Sequence, residues 1–362
     1  MLKSSCIILV FLTVFLSGKI EAMKNKDSSK KTLLKNYIID VVIPIGIKDK
    51  DKLENCVNGI LRNSLNSINK VYIVAEHLSI LESLSLDNKN NKKIVGISEK
   101  IYPFSKDDIK EVFIKNQADR KRSSWYYQQL LKFYIFDAIP NICDNVLILD
   151  SDFVFIKPIE FLNSEGKALL SYGYPLQYRN GTSTYFSQSM NLTKIIHAKS
   201  LIKDWDIINL FDGIHHHMLF NKDIMKSLFK NVEEHNKEPF WKAFINKSFI
   251  DEAIYVSEYL IYFHFAIKNF KNKVEARHLN TVDILYDSED TLTLNLVHKL
   301  LDDFMKNKEP TITGIGCHGV LNLKDSIERS DSMDEELKKT LLQNEKTFYI
   351  FRLNEDGKVY VE

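Results

Sequence analysis

The stretch Val146-Leu147-Ile148-Leu149-Asp150-Ser151-Asp152-Phe153-Val154-Phe155 constrains the fold most. An apolar run ends in two nearby carboxylates and then turns apolar again. A short apolar run bounded by turn residues reads as a buried strand. Buried carboxylates are costly unless they are paired or bind a metal. Asp150 and Asp152 at the mouth of a core strand therefore suit a divalent cation. An oxygen-rich site suits Mg2+ or Mn2+, whose shell is usually completed by substrate phosphates. The competing reading is a strand end running into a solvated turn, so the context of the motif matters.

At 362 residues the chain has room for one large or two ordinary domains, and 44% hydrophobic residues are ample for a core. A formal net charge of +1 lacks the basic excess of a nucleic-acid binder. The N-terminus has the order of a secretory signal: Lys3, an apolar run from Cys6 to Leu16, then Ser17 to Ala22 with a cleavage site after Ala22. Residues 1–22 are thus expected to be a signal peptide or a short signal anchor, with membrane contact only if the segment is retained. Residues 23–36, rich in Lys and Ser, read as a linker. Once Cys6 leaves with the signal, Cys56, Cys143 and Cys317 allow at most one disulfide. Asn180, Asn191 and Asn246 head glycosylation sequons, a weak signal in an Asn-rich chain.

Along the chain, Tyr37 to Pro44 reads as a first core strand, and Leu53, Val57, Ile60, Leu61 and Leu65 have helical spacing. Strands are expected at Lys70–Ala75 and Lys93–Ile97, and a helix over Ser124–Phe136, before the Val146 strand. That alternation indicates an α/β sheet with mostly parallel strands. In such sheets ligands bind beyond the carboxyl ends of the strands, which is where Asp150 and Asp152 fall. Past Phe270, strands are expected within Ala276–Tyr286 and at Phe348–Phe351, and helices over Leu292–Phe304 and Asp334–Gln343. This tail is expected to pack on the same domain.

Several pieces together carry a family resemblance. They are Val41-Val42-Ile43-Pro44, Ser123-Ser124-Trp125-Tyr126-Tyr127-Gln128-Gln129-Leu130-Leu131-Lys132, Leu147 to Asp152, His216-His217-Met218-Leu219-Phe220 and Ser257-Glu258-Tyr259. In their order and spacing over Asp40 to Phe270, the chain resembles the nucleotide-sugar glycosyltransferases of the GT-A fold, and within them a set of domains of unknown function with a DxD motif. It departs from that pattern at Ser124, where the family often has glycine, and at Leu260, where it often has an acid. The resemblance implies a Rossmann-like GT-A domain over 37–362. Its nucleotide-sugar half would span 37–155, and its acceptor half with a C-terminal extension 156–362.

The resemblance also implies roles. Asp152 would hold Mn2+ or Mg2+, and Asp150 the metal or the ribose of a nucleotide-diphosphate sugar. Pro44, Gln129 and Lys132 would lie beside the nucleotide diphosphate, with Lys132 supplying a cation. Arg120 and Arg122 could also meet phosphate or form a solvated charge run. A later histidine commonly completes the metal shell, and His318 is the first candidate, expected in a Gly-flanked turn over Gly314 to Gly319 where backbone could approach a phosphate. Consecutive residues on a strand face opposite ways, so His215 to His217 do not all ligate one ion. His216 or His217 is expected in the acceptor pocket, with Tyr259. Ser257 suits a helix N-cap, leaving Glu258 in the first turn, favoured there by the helix dipole and a candidate general base. Partners would be the nucleotide sugar and a glycan, protein or lipid acceptor. The need for a donor pool points to the Golgi or endoplasmic reticulum lumen, to secretion, or to an exported bacterial protein acting inside a host.

Two rival readings remain. Leu147 to Val154 also fits the nucleophile motif of haloacid-dehalogenase-like phosphohydrolases, with Asp150 attacking phosphate and Ile284 to Asp290 as a later acidic motif. Against it, more than a hundred residues of α/β pattern precede a strand that normally opens that domain. The other is a non-catalytic carbohydrate-binding domain.

Overall fold

The computed structural model describes residues 33–85, 88–117, 122–173, 188–209, 211–252, 255–287, 311–320, 323–328, 335–343, 348–353 and 359–361, with positions 296, 299 and 306. The signal segment, Arg120, Asn180, Asp290 and the helix expected over Leu292–Phe304 lie outside the described residues, apart from Leu296 and Lys299. Its strands in the first half are β1 (Ile38–Pro44), β2 (Ser67–Ala75), β3 (Ile94–Ser98), β4 (Asn145–Leu149), β5 (Phe153–Phe155) and β6 (Ala168–Ser171). The second half adds β7 (His217–Asn221), β8 (Val274–Arg277), β9 (Thr281–Asp287), β10 (Gly314–Val320), β11 (Phe348–Leu353) and β12 (Val359–Val361). The helices that matter here are α1 (Lys50–Asn63), α2 (Ser123–Phe133), α3 (Gln188–Leu201) and α4 (Glu258–Asn269).

The central sheet runs β3-β2-β1-β4-β7, parallel except for β7, which is antiparallel to β4. This is the mixed, mostly parallel α/β architecture expected from the sequence. Strands inside such a sheet are covered on both faces and read as continuous apolar runs. Ile39, Val41, Val42 and Ile43 of β1 are accordingly fully buried. The exception, Asp40, is satisfied by amide groups: it accepts from Lys70 N at 2.9 Å, Asn69 Nδ2 at 3.0 Å and Cys143 N at 2.7 Å. Helix α1 buries Leu53, Val57 and Ile60 of the expected stripe, together with Cys56, while Leu61 is half-buried and Leu65 lies past the helix end. Helix α2 stops at Phe133, and a short separate turn follows at Ile135–Ala138. Helix α4 is buried from Glu258 to Ala266, and its N-cap Ser257 Oγ accepts from Leu260 N at 3.3 Å.

A second sheet, ordered β12-β11-β9-β10-β5, is built mainly from the C-terminal part of the chain. It encloses a small apolar cluster including Val282, Ile284, Ile312, Ile315 and Ile350. Strand β5 belongs to this sheet although it follows β4 almost directly. Asp150-Ser151-Asp152 is therefore the corner between sheets. On one side Asp150 N donates to His216 O at 2.9 Å, and on the other Cys317 N donates to Asp152 O at 2.8 Å.

His318 departs from expectation. It lies in β10, paired parallel with β9, rather than in a turn. The glycines that suggested a turn serve clearance instead. A Cβ at Gly314 would come within 2.3 Å of the Phe153 ring, and one at Gly316 within 2.3 Å of Asp283 Oδ1. Cys56, Cys143 and Cys317 are all free thiols. No described helix is long and apolar enough to cross a membrane.

Candidate active site

The corner brings imidazoles and carboxylates from both sheets into one ring. His216, just before β7, places Nε2 2.7 Å from Asp283 Oδ1 and Nδ1 4.0 Å from Asp150 Oδ2. His318 places Nδ1 3.3 Å from Asp152 Oδ2 and Nε2 3.6 Å from Asp283 Oδ1. Burial alone would lower both histidine pKa values. The carboxylates outweigh it, raising His216 through Asp283 and His318 to about 10 through Asp152 and Asp283. Conversely, burial would raise Asp152 and Asp283, but the imidazoles hold both well below the usual carboxylate range.

One ligand atom each from His216, Asp283 and His318 lies within 4.8 Å of the others, and Asp152 borders the same space. Half-buried carboxylates and imidazoles in one cluster fit a divalent metal. The nitrogen donors suit Mn2+ better than Mg2+, which prefers an all-oxygen shell. The bare Gly316 supports the fit, since an added Cβ would also stand 2.9 Å from His216 Nε2.

A second cluster shares Asp150. Lys132 Nζ lies 2.7 Å from Asp150 Oδ1 and 2.6 Å from Glu258 Oε1. Tyr259 OH donates to Asp150 Oδ1 at 3.2 Å, and Lys132 stands 4.5 Å over the Tyr259 ring. Burial would depress the Lys132 ammonium, but Asp150 and Glu258 hold its pKa well above the ordinary value. Its side chain is only 6% exposed, so Lys132 is already neutralised by two carboxylates.

Both clusters line a cleft of about 840 Å³ together with Pro44, Lys52, Trp125, Gln128, Lys194 and Tyr259. Pro44, Lys132, Asp150, Asp152, His216, Glu258, Tyr259 and His318 therefore share one cleft. Two residues expected beside ligand do not line it. Gln129 is 1% exposed and ties α2 to α4: its Oε1 accepts from Glu258 N at 3.0 Å, and its Nε2 donates to Val256 O at 3.4 Å. His217 is 1% exposed and turned into the core, with Nε2 3.3 Å from Ser171 Oγ and its ring against Phe155 and Phe161. Strand alternation explains this, for His215 and His217 share a face, ring centroids 4.6 Å apart, and His216 takes the other. Burial keeps both neutral, lowering His215 to about 3 and His217 well below its ordinary value. Arg122 is engaged by Tyr255, donating to its hydroxyl at 2.8 Å. Asp287, from the rival acidic motif, accepts from Leu323 N at 3.0 Å.

Asp283 was not anticipated. The available signal was a lone acid on an alternating strand, β9, where Val282, Ile284 and Tyr286 are the buried apolar set.

No curated protein matches the chain. Among solved structures it is similar to mouse xyloside xylosyltransferase 1 in its apo form, with a TM-score of 0.39 and 11% identity over 77% of this chain and 97% of that one. A family model described as a family of unknown function, DUF6492, matches residues 36–307, and the chain belongs to that family.

Proposed function

We propose that the protein is a metal-dependent glycosyltransferase of the GT-A type, moving a sugar from a nucleotide-diphosphate donor to an acceptor hydroxyl. The observation that carries this reading is the ring of Asp152, His318, Asp283 and His216 beyond the carboxyl end of β4, within a cleft of about 840 Å³. That volume accommodates a nucleotide sugar. The four ring residues would hold Mn2+ or Mg2+. When bound, the ion neutralises charge on the diphosphate leaving group as a Lewis acid.

The other residues follow from their contacts. Lys132 and Tyr259 fix one oxygen of Asp150 and leave Oδ2 on the His216 side for the metal or the ribose. Glu258 holds Lys132, and we assign it a positioning role, since its Oε1 is committed to the ammonium. Pro44, closing β1, borders the nucleotide end of the cleft. The acceptor is a hydroxyl of a glycan, protein or lipid, and the protein works where nucleotide sugars are available, as in the lumen of the secretory pathway.

The test is nucleoside diphosphate release from a panel of nucleotide sugars with manganese. One donor should turn over in a manganese-dependent way, with loss of activity on chelation and in Asp152→Asn. Failure of the folded wild-type protein to bind any nucleoside diphosphate with manganese would overturn the reading.

A further inference from the structure

We infer that Lys194 is the cation that grips the donor diphosphate, a role the sequence suggested for Lys132. This rests on the transferase reading above. Among the described residues, five lysines line the cleft: Lys48, Lys52, Lys106, Lys132 and Lys194. Three are already paired. Lys52 Nζ is 3.0 Å from Asp49, Lys106 Nζ is 2.6 Å from Glu76 and 3.3 Å from Glu99, and Lys132 bridges Asp150 and Glu258. Lys48 is exposed, on a short turn at Ile47–Asp49.

Lys194 differs from all four. It comes from the middle of α3 and is half-buried. Among the described residues no carboxylate lies within ion-pair distance of it. The negative charges that act on it are Asp212 and Glu258. Asp212 Oδ1 accepts from Ile214 N at 2.8 Å, and Glu258 Oε1 is held by Lys132. Burial lowers the Lys194 pKa, and the two acids only partly oppose this. A half-buried ammonium without a counter-ion is costly to keep, and an anion entering the cleft would offset that cost. The donor's anionic groups are its phosphate oxygens, and a lysine meets phosphate as a compact point charge with rotatable donors.

Calorimetry on the full chain with manganese tests the assignment. The probes are uridine, guanosine, cytidine and adenosine diphosphates, together with the corresponding nucleosides. Lys194→Ala should weaken the best wild-type diphosphate by roughly 10- to 100-fold, the range for a lost charge-assisted hydrogen bond. Affinity for the nucleoside should not change and the melting temperature should not fall, and Lys194→Arg should recover most of the affinity. Unchanged diphosphate affinity in Lys194→Ala would overturn the inference, as would parallel loss of nucleoside and diphosphate. If wild-type protein binds none of the diphosphates, the transferase reading falls as well. If wild type binds and Lys194→Ala matches it, only the role of Lys194 falls.

Discussion

Asp150 and Asp152 belong to one motif, yet their counter-charges differ in kind. Asp150 faces a buried lysine that also serves Glu258, whereas Asp152 faces His318, which shares Asp283 with His216. A lysine with a raised pKa keeps its proton across the physiological range. An imidazole gives up its proton to a metal. One side of the corner is thus permanently neutralised, and the other is neutralised by protons that an ion can replace. A DxD sequence does not show this asymmetry, because the difference lies in residues from α2, α4, β9 and β10.

The largest expected effect comes from removing the permanent cation. Lys132→Met would leave Asp150 and Glu258 side by side and uncompensated, and should destabilise the fold by about 3–5 kcal/mol. Urea denaturation measures this, and adding Glu258→Gln should recover a good part of the loss. A loss of under about 1 kcal/mol would show that the two carboxylates do not depend on the lysine.

Next come the two aspartates compared directly. Asp152→Asn should weaken manganese by more than about 100-fold, beyond the usual cost of losing a residue behind the ligands. It should cost little stability in metal-free protein, because His318 can release its proton. Asp150→Asn should reverse the order, with a smaller loss of metal affinity and a larger loss of stability, since Lys132 keeps only Glu258. Manganese titration and denaturation of both variants decide the matter. Identical behaviour would erase the asymmetry.

The smallest signal is the proton count. In the metal-free protein Asp152 and Asp283 raise His318 to about 10, so it is protonated at pH 7, and Asp283 raises His216 from its ordinary value. Manganese binding should then release at least the His318 proton, about one per site, read from calorimetry in buffers of different ionisation heat. The stabilisation that His318 gains from its partners is complete below about 6.5 and is lost as pH rises through about 10. For Asp152, whose pKa is depressed, the stabilisation is present above its ordinary 3.8 and is lost only at lower pH. Zero proton release would exclude His318 as a ligand.

Much of the fold was legible because it is written locally. Strands β1 and β4 announce themselves as apolar runs, and Ser257 as an N-cap is visible within a few residues. The site was only half legible. Asp150 and Asp152 mark a strand end, whereas Asp283 has no motif around it and becomes significant only when β9 pairs with β10. Gly314-Ile315-Gly316 reads as a turn because glycine usually signals backbone freedom; here Phe153 and Asp283 require the missing side chains. Gln129 and Lys132 share a helix face, but the sequence did not reveal that this face meets the start of α4.

The corner between the two sheets also orders events during synthesis. Strands β1 to β4 and both aspartates leave the ribosome early, and domains made N-terminus first begin to organise as they emerge. His318 arrives on β10, near the end of the chain, and closes against β5 across a long sequence separation. Contacts of that range form late, after loop closure. A nascent chain therefore carries Asp150 and Asp152 long before the second imidazole, and the proposed ion site is assembled only once β10 has emerged and paired with β5.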